Sequence, residues 1–147
     1  MNMIKYVVFS LLLFGIPTIS QGQDVKISMM YIKQNNLLIV NLTNNTDKDA
    51  IIMNQSSLNE FSGSHITVIQ YVGEKQIETL YPLFDLEKGK LVPIKTLKPK
   101  EKLSASYYFD EMYLNNVKKV KVQIVAFFKD ESTNKMITKN YYSELNL

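Results

Sequence analysis

The stretch "VKVQIVAFFK", Val120 to Lys129, narrows the fold more than any other part of the chain. Val120, Val122, Ile124, Ala126 and Phe128 fall on one side of an extended backbone. Lys119, Lys121, Gln123 and Lys129 fall on the other. A period of two marks a strand that buries one face. The alternation recurs along the chain. "VKISMMYIK" places Val25, Ile27, Met29 and Tyr31 together, and "NLLIVNL" does so for Leu38, Val40 and Leu42, though Leu37 and Ile39 make that run apolar on both faces. "HITVIQYV" groups Ile66, Val68 and Val72, and "KLSASYYF" groups Leu103, Ala105, Tyr107 and Phe109. "AIIM" is a short run, and "KMITKNYYSELNL" holds Ile137, Tyr141, Leu145 and Leu147. β-branched and aromatic residues fill these runs, as a half-buried pleat favours.

Turn chemistry separates them: "GEK" at Gly73, "EKGK" around Gly89, and "KDESTNK" from Lys129 to Lys135. Pro93 and Pro99 restrict the segment between them to an edge strand or loop, because proline cannot donate to a ladder. "DEMYLNN", 110–116, has room for one helical turn, with Asp110 and Glu111 capping it and Tyr113 placed as a corner residue. About seven or eight short strands at this spacing predict an all-β fold, an antiparallel β-sandwich with one core between two sheets.

The N-terminus is different in kind. Lys5 precedes an apolar run from Tyr6 to Ile16, Pro17 ends it, and the small residues Ser20 and Gly22 stand before Gln23. That is the layout of a signal peptide, cut before Gln23 or Asp24. The run is shorter than the ~20 residues of a transmembrane helix. Residues 1–22 are therefore expected to be the leader and 23–147 one domain, exported to the periplasm or secreted, with no stable membrane insertion after processing. About 125 residues suffice for a core, and the chain has no cysteine to staple it.

The runs and their spacing resemble secreted bacterial immunoglobulin-like domains. In those, a strand ending in Asn-x-Thr precedes a short strand, as in "NLTNNTDKDAIIM", and a Leu-x-Pro-x-Glu step precedes an edge strand, as Leu97, Pro99 and Glu101 do in "LKPKEKLSASYYF". Lys100 stands where glycine is commoner. A similar layout occurs in small bacterial proteinase inhibitors. The resemblance implies an immunoglobulin-like sandwich and, loosely, a binding role; the Cys–Trp–Cys signature of antibody domains is absent.

Several chemistries lack their residues. The formal charge is +3 and every basic residue is lysine, so nucleic acid is not an expected partner. One histidine and no cysteine argue against a zinc site. "SGSH", Ser62 to His65, has no spaced partner for a triad, and His65 is expected to face solvent at a strand start. Asp110 and Glu111 diverge as neighbours, unlike paired catalytic carboxylates. The five glycines are scattered rather than gathered in a phosphate loop. In "IVNLTNNTDKDAIIM", Asn45, Asp47 and Asp49 copy the first ligand spacing of an EF-hand, but Ala50 and Ser56 occupy the positions of its glycine and closing glutamate. The loop reads better as a strand connection. Asn41, Asn44 and Asn54 begin Asn-x-Ser/Thr triplets, glycan acceptors only in a eukaryotic secretory pathway.

The expectation is a non-enzymatic binding module without cofactor or metal, recognising a protein or glycan at the cell envelope. An inhibitor or immunity-type protein and a structural subunit of a surface assembly are the alternatives. The contact candidates are Leu83, Phe84 and Leu86 in the proline-bounded hairpin Leu80 to Ile94, and the outward Tyr108. That hairpin either protrudes as a contact loop or folds down as an ordinary strand.

Overall fold

The computed structural model describes residues 18–19, 23–54, 63–83, 86–87, 90–91, 93–108 and 117–147. The described residues form antiparallel sheets with no α-helix. Sheet I runs β1 (Thr18–Ile19), β2 (Val25–Ile32), β3 (Leu37–Asn44) and β10 (Lys102–Tyr108). Sheet II is built on β11 (Val117–Asp130). One edge of β11 pairs β12 (Lys135–Asn146) along most of its length. Its other edge is shared end to end by β5 (His65–Val72) and β4 (Ala50–Met53). Beyond these lie β6 (Lys75–Pro82) beside β5 and β9 (Ile94–Leu97) beside β4. β7 (Leu86–Glu87) and β8 (Lys90–Leu91) pair only with each other.

Twelve strand segments are thus present among the described residues, more than the seven or eight of the sequence reading. The surplus comes from pieces of two to four residues, too short for a period of two to show. β9 is an edge strand, as its flanking prolines require.

The alternation in β11 holds: Val120, Val122, Ile124, Ala126 and Phe128 all belong to the core. Opposite them stand Val25, Ile27 and Met29 of β2 and Leu38, Val40 and Leu42 of β3. Each fully buried side chain of this size contributes roughly 1.5–3 kcal/mol, so the two facing rows suffice to hold a fold without disulfides. Three residues depart from their expected side. Val72, Ile137 and Leu147 are exposed, because their strands overshoot the core at hairpin or chain ends.

Among the described residues, polar bonds tie the two sheets at three places. The Tyr107 hydroxyl of sheet I donates to the Leu83 carbonyl that follows β6. Asp24, just before β2, receives Lys139 Nζ and the Tyr141 hydroxyl of β12. Asn44, at the end of β3, binds carbonyls at the end of β9.

Candidate functional site

Two regions compete for the role of site, and geometry separates them. The first is the polar connection after Asn44. The buried Asn44 donates from Nδ2 to the carbonyls of Lys48 at 2.7 Å and Leu97 at 3.0 Å. Its Oδ1 accepts the N–H of Thr46 at 3.0 Å and the Thr46 hydroxyl at 2.7 Å. Thr46 Oγ1 in turn accepts the Lys48 N–H. This is an Asx turn locked from inside. Asp49 reaches sideways to Lys98 at 2.6 Å. Across from it, Lys98 to Glu101 make a turn closed by the Glu101 N–H on the Lys98 carbonyl, with Pro99 second and Lys100 third at φ +64°. That is the pattern of a type II turn, whose third position favours glycine. The Leu97–Pro99–Glu101 step is therefore the hinge from sheet II to sheet I, and the Glu101 carboxylate caps it by accepting the Lys98 N–H at 2.7 Å.

A shallow depression of about 250 Å³ lies beside this connection, lined by Asp24, Asp47, Lys48, Lys129, Asp130 and Lys139 among others. Two of its carboxylates are already engaged. Asp24 pairs with Lys139, whose hydrogen bond holds the carboxyl below its usual range against the opposing effect of burial. Asp130 is held low by the hydroxyls of Ser132 and Thr133 in its own turn. No group of three or more metal-ligating side chains occurs among the described residues.

The second region is the outer face of sheet II where β9, β4, β11 and β12 lie side by side. "AIIM" and "IVAFF" are apolar on both faces, and they are neighbours: Met53 pairs with Val125 and Ile51 with Phe127. Ile94 of β9 pairs with Met53. On β12, Tyr142 and Met136 lie diagonal to Val125 and Phe127, within reach of long side chains. Tyr142 is 58% exposed and Ile94 50%, and Met53 and Met136 are exposed as well. The paired positions between them are Asn140, Thr138 and Thr96, all uncharged, while the exposed Lys129, the partner of Met136, borders the patch at one end. The far half of the same face carries Lys119 and Lys121, both ion-paired with Glu144.

The backbone beneath this patch is fixed. Between β4 and β5 the ladder on β11 is interrupted, and the buried Ser64 fills the gap: its Oγ accepts the Val125 N–H at 2.8 Å. The buried Asn54 accepts the Leu83 N–H through Oδ1 at 3.0 Å. Ser64 is thus a structural hydroxyl. His65 is a correction to the sequence reading: it is 4% exposed, because β5 is flanked by both β6 and β11, and its Nδ1 lies 2.9 Å from the Gly63 carbonyl. Ser62 lies outside the described residues.

Of the contact candidates from sequence, Leu83 and Tyr108 do not share a surface. Leu83 is a correction: it is 1% exposed and part of the core, where its N–H and carbonyl are bonded to Asn54 and Tyr107. Phe84 lies outside the described residues, as do Asp110, Glu111 and Tyr113. Leu86 belongs to the β7–β8 hairpin by its backbone. Tyr108 is 75% exposed, at the end of β10, on the outer face of sheet I beside Leu37. The sheet II patch was missed by sequence reasoning. Its signal was the loss of alternation at Val125 and Phe127, where lysines give way to apolar residues on the outward side.

No helix among the described residues is long and apolar enough to cross a membrane. No family model matches the chain, and no curated protein matches it.

Proposed function

We propose that this chain is exported, cut before Gln23 or Asp24, and acts as a non-enzymatic immunoglobulin-like β-sandwich that binds another protein at the cell envelope. The observation that carries the reading is the uncharged outer patch of Ile51, Met53, Ile94, Val125, Phe127, Met136 and Tyr142. An apolar surface rimmed by polar residues has the composition of a protein contact. Methionine suits such a surface because it adapts to the shape it meets. A glycan site would want several exposed aromatic faces with hydrogen-bonding groups between them; of the two aromatics in this patch, Phe127 is half-buried and only Tyr142 is exposed. Protein is therefore the favoured partner class. The two-sheet architecture and the type II turn at Lys100 support the immunoglobulin-like reading, since glycine is common there in the domains it resembles.

The test is site-specific photo-cross-linking in the native envelope. A photoreactive residue at Ile94 or Tyr142 is expected to trap a discrete protein adduct, and one at Lys121, on the charged half of the same face, is expected to trap none. Equal trapping at all three positions would remove the reading.

A further inference from the structure

We infer that the edge of β2 is a strand-accepting surface, vacated when the leader is removed and filled by β2 of a second copy. The inference rests on the leader reading above. In the full chain Thr18 and Ile19 form β1, paired antiparallel with Met29 and Ser28 of β2. β1 also lies against β12. Both residues fall within the segment expected to be cut away. Processing before Gln23 or Asp24 therefore removes a strand that is hydrogen-bonded at the centre of β2. It removes the strand paired with Ser28 and Met29 and frees that stretch of the β2 edge, which lies next to β12.

An unpaired edge invites another strand, and proteins normally guard such edges with lysine, proline or short length. The edges of sheet II carry those guards. β6 has Lys75 and Glu78 and ends at Pro82, β9 lies between Pro93 and Pro99, and β12 carries Lys135, Lys139 and Glu144. β2 is eight residues long, contains no proline, and has Lys26 as its one charge. Its inward residues Val25, Ile27 and Met29 are fully buried, which pins its register on β3. The edge is thus held rigid, ready to accept a strand in the antiparallel sense that β1 already shows.

A second copy meets this geometry directly. Two identical edges related by a two-fold axis must pair antiparallel. Centred on Ser28 or on Met29, the pairing sets Lys26 opposite Met30 or Ile32, so no like charges face each other. The result is a continuous six-stranded sheet, β10-β3-β2 joined to its symmetry mate, and such main-chain addition is an established mode of association.

The experiment compares two purified chains, one starting at Gln23 and one that retains residues 16–22. The core cluster runs from Val25 to Leu145, so both contain all of it. Sedimentation is expected to give a dimer for the first and a monomer for the second. Amide exchange at residues 28–30 is expected to slow as the concentration of the first chain rises. The double variant Ser28→Lys/Met30→Lys places lysine against lysine in either register and is expected to be a folded monomer with a melting temperature near the parent's. Ser104→Lys/Ser106→Lys, on the other edge of sheet I, is expected to leave the dimer intact. A chain starting at Gln23 that stays monomeric would overturn the inference, as would a dimer that survives the β2 lysines or one that fails with the β10 lysines. N-terminal sequencing of exported protein tests the leader reading separately; a start at Met1 would defeat that reading whatever the sedimentation shows.

Discussion

Around Asn44 polar side chains are turned inward and bonded to backbone; around Val125, itself 9% exposed, apolar side chains are turned outward, and four of them, Met53, Ile94, Met136 and Tyr142, stand in water. The Asn44 connection joins β3 to β4 and lies against the turn that joins β9 to β10, so two passages between the sheets meet there. Its backbone groups are satisfied by Asn44, Thr46 and Glu101. The Val125 region lies on the outside of one sheet, and its fold is complete without the outward side chains. Ser64 and the neighbouring strands satisfy its backbone. The difference separates two uses of a side chain. One set can be explained entirely by what it does for the fold. The other cannot, because exposed Ile94, Met53, Met136 and Tyr142 do nothing there that a polar strand residue would not do as well.

The comparison can be broken by substitution, and the largest effect belongs inside β11. Ile124→Asp puts an unpaired charge into the core and is expected to unfold the domain, whereas Lys121→Asp, one face away, is expected to cost less than about 1 kcal/mol. Equal melting temperatures would sink the strand register. Next comes Asn44→Ala. It leaves the buried Leu97 carbonyl, the half-buried Lys48 carbonyl and the Thr46 N–H without their partner, and thermal melting is expected to show a loss of about 2–4 kcal/mol. A loss under about 0.5 kcal/mol would mean that water replaces the amide and that the connection is not structural.

Smaller effects sharpen the picture. Lys100→Gly relieves a left-handed backbone at φ +64° and is expected to raise stability by up to about 1 kcal/mol, even with the exposed Lys100 contact to the Asn45 carbonyl removed. A destabilised variant would show that the lysine side chain outweighs the strain. The smallest effect belongs to Asp24. The hydrogen bond from Lys139 depresses its folded pKa, so the pair stabilises the protein above about pH 4 and the contribution fades as the pH falls through that lowered value. The pair is partly exposed, so Asp24→Asn is expected to cost under about 1 kcal/mol at neutral pH. The gap from the parent should close in acid, as melting curves at several pH values would show. A gap that stays constant in acid would remove the ion pair from the explanation.

Much of the fold was legible because alternation is a local property. β2, β3 and β11 could be oriented from "VKISMMYIK", "NLLIVNL" and "VKVQIVAFF" alone, and the turns at Gly73 and at Glu131–Asn134 announced their hairpins. Which strands lie side by side is not local. Met53 and Val125 are far apart in sequence, and only pairing on β11 brings their outward faces together. The same limit explains Leu83 and His65. Each looked peripheral, one beside a proline and one at a strand start, and each is buried by strands that the sequence does not place next to it. The Asn44 connection joins two strands, as its turn residues indicated, but its reach to Leu97 and Lys98 could not be foreseen from its own residues.

The central claim is that contact belongs to the Val125 patch and not to the polar connection. It is tested most directly by capture of the trapped partner with two variants of matched stability. Ile94→Lys/Tyr142→Lys puts charge into the patch at positions at least half exposed, and Asp47→Ala removes the exposed carboxylate of the connection. Both are expected to melt within a few degrees of the parent. The patch variant is expected to lose the partner and the Asp47 variant to keep it. Loss of the partner in Asp47→Ala, with capture unchanged in the patch variant, would contradict the claim.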